Sequence, residues 1–442
     1  MNYLLKNKLL YFVNKKHILW YFKKGFLLLL ILGNYSLFAQ KISITNFGAI
    51  NNGNTLNTKF IQNAIDACAK AGGGEVIVPT GGTYLTGTIF LKSNVFLKLE
   101  AGAKLQGSPN MKDYSTQYPH LIYAEKAMNT GIIGHGVIDG NGASFWDENF
   151  LALERPEPWL VFSHCQNLKF EQVQLLNSPA HVLVLDNCDG AVVNALRIVN
   201  PMRSPNTDGV DITDSRNVFI TNCYFETGDD AICLKSDKAW VENVVATNNI
   251  IISDDAAIKL GTAGHVGTRY CLFSNNIIRN SRYGIALFQM DGGTYEHCQF
   301  LNMTIQTGSR HATEYPIFVD IDRRRDTSNL GIIRHIEFSN LQIETRGKCL
   351  IAGQPQAPIE NLVFNNITLI AAQVPATDLS EAKKPRGNKT LGYYADLQDF
   401  AKKNAWFTFG NIKDLQMQRI VVRDARLQRT NFSLENVSAS EE

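Results

Sequence analysis

NVFITNCYF (217–225), NVVATNNII (243–251) and RYCLFSNNI (269–277) start 26 residues apart, and YEHCQFLNM (295–303), HIEFSNLQI (335–343) and NLVFNNITL (361–369) continue the pattern. Each alternates apolar and polar residues over about eight positions, the period of a strand with one buried face. A recurring interval of this size marks a stacked array. One interval has room for three short strands and three turns, a single rung of a right-handed parallel β-helix. A propeller blade needs four antiparallel strands and hairpin turns, which these units do not show. The chain is therefore expected to be all-β.

Asn222, Asn248, Asn275, Asn302, Asn340 and Asn365 recur at one place in these units. Stacked asparagines tolerate left-handed turns and can pass amide hydrogen bonds from rung to rung. Upstream, Thr58 to Ala71 reads as an amphipathic helix. Thr58 is its expected N-cap, Phe60, Ile61, Ala64, Ile65 and Cys68 form its apolar face, and Gly72-Gly73-Gly74 ends it. Such a helix would shield the first rung from water. The periodicity fails after Leu369, and a polar stretch over 371–408 precedes one more strand pattern, MQRIVVRD, from Met417. The expected plan is a leader over 1–39, the β-helix over 40–370 and a C-terminal extension over 371–442 that covers the far end.

The leader reading rests on Lys6, Lys8, Lys15, Lys16, Lys23 and Lys24 ahead of the apolar run Phe26 to Leu32, with a cut near Ala39. That run is shorter than the ~20 apolar residues a membrane span needs. The expectation is an exported protein, secreted or periplasmic, with no membrane span after cleavage. A formal charge of +2 over 442 residues offers no global field for nucleic acid or anionic lipid. The eight cysteines are scattered without a CxxC pair, and several sit inside strand patterns, so they read as small buried hydrophobes.

Two carboxylate-bearing segments stand apart: SPNTDGVDI (204–212) and TGDDAICLKS (227–236). Asp208 precedes Asp229 and Asp230 by nearly one rung, which puts the three acids on neighbouring turns of one face. Crowded carboxylates raise the pKa of at least one of them. Glycoside hydrolysis needs that arrangement, a protonated acid for the leaving oxygen and an ionised base for water. Asp-Gly and Gly-Asp-Asp are also ordinary turn sequences, but two such motifs one rung apart with Lys235 beside them favour chemistry.

With these motifs the chain resembles the polygalacturonase family of glycoside hydrolases, numbered 28. The resemblance runs over about residues 43 to 370. It includes ITNFGA (44–49), IQNAIDACAKAGGG (61–74), VIVPTGGTYLTGTIFLKSNVFLKLEAGAKLQGS (76–108), GVIDGNGASFWD (136–147), NTDGVDI (206–212), GDDAICLKS (228–236) and PIFVDID (316–322). It implies inverting hydrolysis of a pectic or related polysaccharide, with Asp229 as general acid and Asp208 and Asp230 activating water. No metal or cofactor is called for, and the enzyme is expected to act as a monomer. Acid and base carboxylates in inverting enzymes stand ~6.5–9.5 Å apart.

The chain departs from the family in the next two rungs. Asp254-Asp255-Ala256 stands where a Gly-His-Gly is usual, with Asp255 in the histidine's place; the Gly-His-Gly at 134–136 lies several rungs too early. Ala286-Leu287-Phe288 replaces the carboxylate-gripping Arg-Ile-Lys, and Phe300 aligns with the active-site tyrosine. Among Asp208, Asp229, Asp230, Asp254 and Asp255, a uronate at the cleavage point is repelled unless cations compensate. Lys235, Lys259, Arg279 and Arg282 are the nearby cations, and Asn206, Lys235, Asp255, Lys259 and Arg282 are the expected substrate-binding residues. A neutral or differently decorated sugar is expected at the cleavage point. Two other classes share the fold: a calcium-dependent polysaccharide lyase, since stacked aspartates ligate Ca²⁺, and a non-catalytic carbohydrate-binding solenoid.

Overall fold

The computed structural model describes residues 40–308, 314–325, 327–372, 400, 402–425 and 429–439. The expected leader, 1–39, and most of the polar stretch after 372 lie outside these residues. Thirty-three strands are described, and the rungs pair in parallel throughout. Three strands make a rung up to Ile277–Ser281, and from Thr294–Thr307 onward one long strand takes the place of the second and third, so three sheet faces run along the stack. The site-bearing sheet stacks Leu183–Asp186, Val210–Thr213, Ile232–Ser236, Ala256–Gly264, Tyr283–Gln289 and Tyr315–Ile321 in that order. The second sheet carries Arg216–Thr221, Val241–Thr247, Gly267–Ser274 and their successors, and the third begins with strands such as Tyr224–Thr227 and Ile250–Ser253.

The alternation in the repeats is the alternation of burial. In Arg216–Thr221, Ile220 is fully buried while its neighbour Phe219 is 47% exposed. Identical inward positions stack into columns: Phe273, Phe300, Phe338 and Phe364 follow one another with ring centroids 5.0, 5.1 and 4.9 Å apart. All eight cysteines are buried and unpaired, as expected of small core residues.

The asparagine ladder forms at the corner between the second and third sheets. Asn222, Asn248, Asn275, Asn302 and Asn340 are all left-handed, and Asn340 donates to Asn302 at 2.9 Å. In the last of these rungs the position belongs to Asn366, which is left-handed and donates to Asn340 at 2.8 Å, and not to Asn365. Asn365 is one residue early and pairs in register with Ser339. Two adjacent asparagines cannot be told apart by composition; only the register separates them.

The helix spans Thr58–Lys70 and buries Ile61, Ala64, Ile65 and Cys68, with Phe60 packed at its edge. Asn57, not Thr58, is the N-cap residue. The Asn57 amide oxygen accepts from Ile50 N at 2.7 Å, tying down the preceding loop, while the Thr58 hydroxyl accepts from Gly87 N at 2.8 Å. Past residue 370 the parallel pairing continues: Ala405–Arg423, which contains MQRIVVRD up to its last strand residue, pairs with both Cys349–Ala352 and Ile359–Ala371, and Thr430–Ala439 pairs with it in turn. The solenoid thus extends beyond the boundary expected at 370. Among the described residues no helix is long and apolar enough to cross a membrane.

Candidate active site

Asp208 and Asp230 stand immediately before the strands Val210–Thr213 and Ile232–Ser236, one rung apart, and Gly209 N donates to Asp230 O at 2.9 Å. A Cβ on Gly209 would meet Ala231 O at 2.5 Å, so only glycine lets these turns approach so closely. The Asp229 carbonyl is fixed by the hydroxyls of Thr227 at 2.6 Å and Ser253 at 2.7 Å. Asp229 Oδ1 accepts from Asp230 N at 3.0 Å, and Asn206 Nδ2 lies 3.5 Å from Asp229 Oδ2. Asp255 joins the cluster: Asp229, Asp230 and Asp255 each bring an oxygen within 4.8 Å of the others, and Asp208 and Asp230 oxygens come equally near.

Each cation expected from the sequence that reaches this cluster is engaged by a carboxylate. Lys235 Nζ lies 2.8 Å from Asp211 Oδ1 and 3.2 Å from Asp208 Oδ2, Lys259 Nζ lies 2.6 Å from Asp230 Oδ2, and Arg282 Nη1 lies 3.1 Å from Asp255 Oδ1. Arg279 is exposed on the third sheet, opposite Ile252, and does not enter the site. Asp230 is almost wholly buried, and burial pushes its carboxyl up to about 8. Asp229, Asp208 and Asp255 push the same way, while Lys259 opposes them. Both lysines are held well above their usual range by these carboxylates, against the effect of burial.

The carboxylates are not equivalent. Asp230 Oδ2 is taken by Lys259 and its Oδ1 accepts from Ala256 N at 3.2 Å. Asp208 Oδ2 is held by Lys235, but its Oδ1 has no protein hydrogen-bond partner. The nearest oxygens of Asp229 and Asp230, within 4.8 Å, are closer than the expected ~6.5–9.5 Å between an acid and a water-activating base.

Three groups that the motifs did not mark complete the site. Asp211 faces out between the inward Val210 and Ile212, so strand alternation alone could have identified it. His181 precedes Asp208 by 27 positions, one rung, and its Nε2 lies 3.8 Å from Asp208 Oδ1 and 4.0 Å from Asp211 Oδ2. Arg155 is buried, clamps both oxygens of Glu157 at 2.9 Å, and bonds Asn206 Oδ1 at 3.2 Å. Nothing in the sequence around 155–157 announces this contact.

Downstream, the row that contains Asp211, Cys233 and Lys259 continues as Ala286, Phe318 and Leu350. These apolar residues join Tyr283 and Phe288 in a separate cluster outside the main core, and Lys259 Nζ stands 5.4 Å from the Phe288 ring centroid. Phe300 is not at the site: it is fully buried in the inner phenylalanine column, because Thr294–Thr307 belongs to neighbouring sheets. The Gly-His-Gly at 134–136 packs against Leu99, where a Cβ on Gly134 would meet Leu99 O at 2.1 Å, and serves rung packing.

A family model described as glycosyl hydrolases family 28 matches residues 68–378. A probable polygalacturonase of Vitis vinifera is 26% identical over 376 residues, covering 75% of this chain and 74% of that protein. An exo-poly-alpha-D-galacturonosidase of Dickeya chrysanthemi is 24% identical over 439 residues, covering 74% and 71%. The structure of a Yersinia enterocolitica family 28 exopolygalacturonase superposes with a TM-score of 0.73 at 22% identity, over 90% of this chain and 78% of that one. An exopolygalacturonase from Thermotoga maritima gives a TM-score of 0.69 at 20% identity, over 88% and 93%. These likenesses place the fold among right-handed parallel β-helices. The matched span covers well over half of the chain and every carboxylate of the cluster, and the chain is a glycosidase belonging to glycosyl hydrolases family 28.

Proposed function

We propose that the protein hydrolyses a pectic polysaccharide by single displacement, with Asp229 as general acid and Asp208 as the base that activates water. Asp229 is the partly exposed member of the trio, able to reach a glycosidic oxygen, whereas Asp208 and Asp230 are almost completely buried. Asp208 Oδ1 is buried beside His181 and has no protein hydrogen-bond partner. Asp230 has both oxygens engaged, by Ala256 N and Lys259, which leaves the base role to Asp208. An ionised base and a protonated acid side by side are what the reaction requires.

The relatives named as polygalacturonases support a pectic substrate. The paired state of Lys235, Lys259 and Arg282, and the apolar row Ala286–Phe318–Leu350, favour a neutral or decorated sugar over a bare galacturonate at the cleavage point. The single observation that carries this reading is that, among the described residues, the row holds no cation beyond Lys259. The lysine-rich start followed by the run Phe26 to Leu32 supports export to the compartment where such polymers occur.

The test is incubation with polygalacturonic acid, rhamnogalacturonan and related polymers, following reducing ends and ultraviolet absorbance together. Reducing ends from a mixed or decorated polymer without new absorbance support the reading. Rapid release of oligogalacturonides from plain polygalacturonic acid sinks the substrate assignment, and unsaturated products sink hydrolysis. The anomeric form of the first product, read by proton NMR, decides inversion.

A further inference from the structure

We propose that His181, set beside Glu157, is a positioning residue for the base Asp208 and the route by which the proton taken up by Asp208 leaves the site. This rests on the assignment of Asp208 as base. His181 comes from the rung before Asp208, and its Nε2 stands 3.8 Å from Asp208 Oδ1, the oxygen without a protein hydrogen-bond partner. Its other ring nitrogen, Nδ1, stands 3.8 Å from Glu157 Oε1 and also has no hydrogen-bond partner. Asp208 Oδ1 and His181 Nδ1 are both buried and unsatisfied, and a small closure would turn either 3.8 Å separation into a direct hydrogen bond. Contacts of this kind are long in ligand-free sites and tighten on binding.

The surrounding contacts support an oriented imidazole. Glu157 is fixed by the bidentate grip of Arg155, which is itself anchored to Pro179 O at 3.0 Å and Pro205 O at 2.7 Å. A carboxylate at Nδ1 favours the tautomer with its proton there, leaving the Nε2 lone pair to accept the proton that Asp208 takes up. The charged groups facing His181 are Glu157, Asp208 and Asp211, with Lys235 behind the two aspartates.

In the reaction, the water oxygen bonds the anomeric carbon as the glycosidic C–O bond breaks. The Asp229 proton goes to the leaving oxygen, and one water proton goes to Asp208. Each turnover therefore leaves Asp208 protonated and Asp229 ionised, and the proton on Asp208 must reach solvent. The Asp208 side chain is only 5% exposed, that of His181 is 23% exposed and that of Glu157 42%. The series forms a graded path outward from the buried carboxyl.

The experiment uses the full chain and whichever polymer the wild type hydrolyses. His181→Ala is expected to lower kcat by roughly 10- to 100-fold with KM little changed, and added imidazole or concentrated buffer to restore part of the loss. His181→Gln, which fills the space, and Glu157→Gln are expected to show smaller losses of the same kind. A folded His181→Ala variant with wild-type kcat, with a raised KM alone, or with a loss that imidazole and buffer leave untouched overturns the proposal. A second readout needs no substrate. Nitrogen-15 shifts of the His181 ring are expected to report a proton on Nδ1 in the wild type and a mixture in Glu157→Gln; unchanged shifts overturn the Glu157 contact. A wild type that cleaves none of the polymers counts against the proposed substrate, and the nitrogen-15 shifts then decide the role of His181 by themselves.

Discussion

Lys235 bridges two carboxylates of one turn, standing 2.8 Å from Asp211 and 3.2 Å from Asp208. The aspartate side chains are 4% and 5% exposed, so neither is neutralised by water. Removing one partner of a buried ion pair leaves an uncompensated charge and costs ~3–5 kcal/mol. Lys235→Met is expected to lose stability in that range, read as a shifted denaturation midpoint at unchanged slope. Stability within ~1 kcal/mol of the wild type would refute a stabilising role for this bridge.

Asp229→Asn keeps the shape of the side chain and its place beside Asn206 but cannot deliver a proton. General acid catalysis contributes typically ~10²–10⁴-fold. The variant is expected to lose kcat by that factor on any polymer the wild type cleaves, with its melting curve little altered. Wild-type turnover by the variant would remove Asp229 from the acid role.

Burial raises Asp230 from an ordinary 3.8 to about 8, so between these values the folded protein holds a proton that the unfolded chain has lost. The sign follows from linkage: this contribution to stability is largest at acid pH and is lost as pH rises through that window. Asp230→Asn has no proton to lose. Its stability is expected to fall less steeply than that of the wild type from about pH 5 to 8, in parallel denaturant titrations at several pH values. Equal slopes would refute the raised carboxyl.

Phe338 sits between Phe300 and Phe364 in the inner column and is fully buried. Truncating such a ring costs ~3–5 kcal/mol. Phe338→Ala is expected to fall in that range, and Phe338→Leu to lose less. The denaturation midpoint measures both.

Asn340 is left-handed and holds its neighbours in both directions, donating to Asn302 and accepting from Asn366. Asn340→Gly loses the amide ladder but keeps the turn, whereas Asn340→Ala loses both. The alanine variant is expected to be less stable than the glycine variant by ~1 kcal/mol, the cost of a Cβ in this conformation. Equal stabilities would assign the residue's value to its hydrogen bonds alone.

Much of this was legible in the chain itself. Interval and alternation specify stacked parallel rungs, because a side chain every second residue must face either core or water and each rung can bury its apolar face only against the next. Asp208, Asp229 and Asp230 could be grouped because their spacing nearly matches the interval. Lys235, Lys259, Arg279 and Arg282 were expected nearby, and Asp255 through the family resemblance; all but Arg279 join the cluster.

Register was not legible. Asn366 rather than Asn365 takes the turn, Asn57 rather than Thr58 takes the cap position, and Phe300 lies in the core because its strand belongs to another sheet. A shift of one residue reverses which way a side chain faces, and pattern alone does not resolve one residue. The partner of each charge was also hidden. His181 and Arg155 meet Asp208 and Asn206 from positions up to 51 residues away. Sequence by itself thus determined the solenoid and its carboxylates, since both follow from a period. Only the tertiary structure decided which carboxylate oxygens are engaged and that Asp208 Oδ1 is left unpartnered, because that depends on where separate rungs come to lie and how far each is buried.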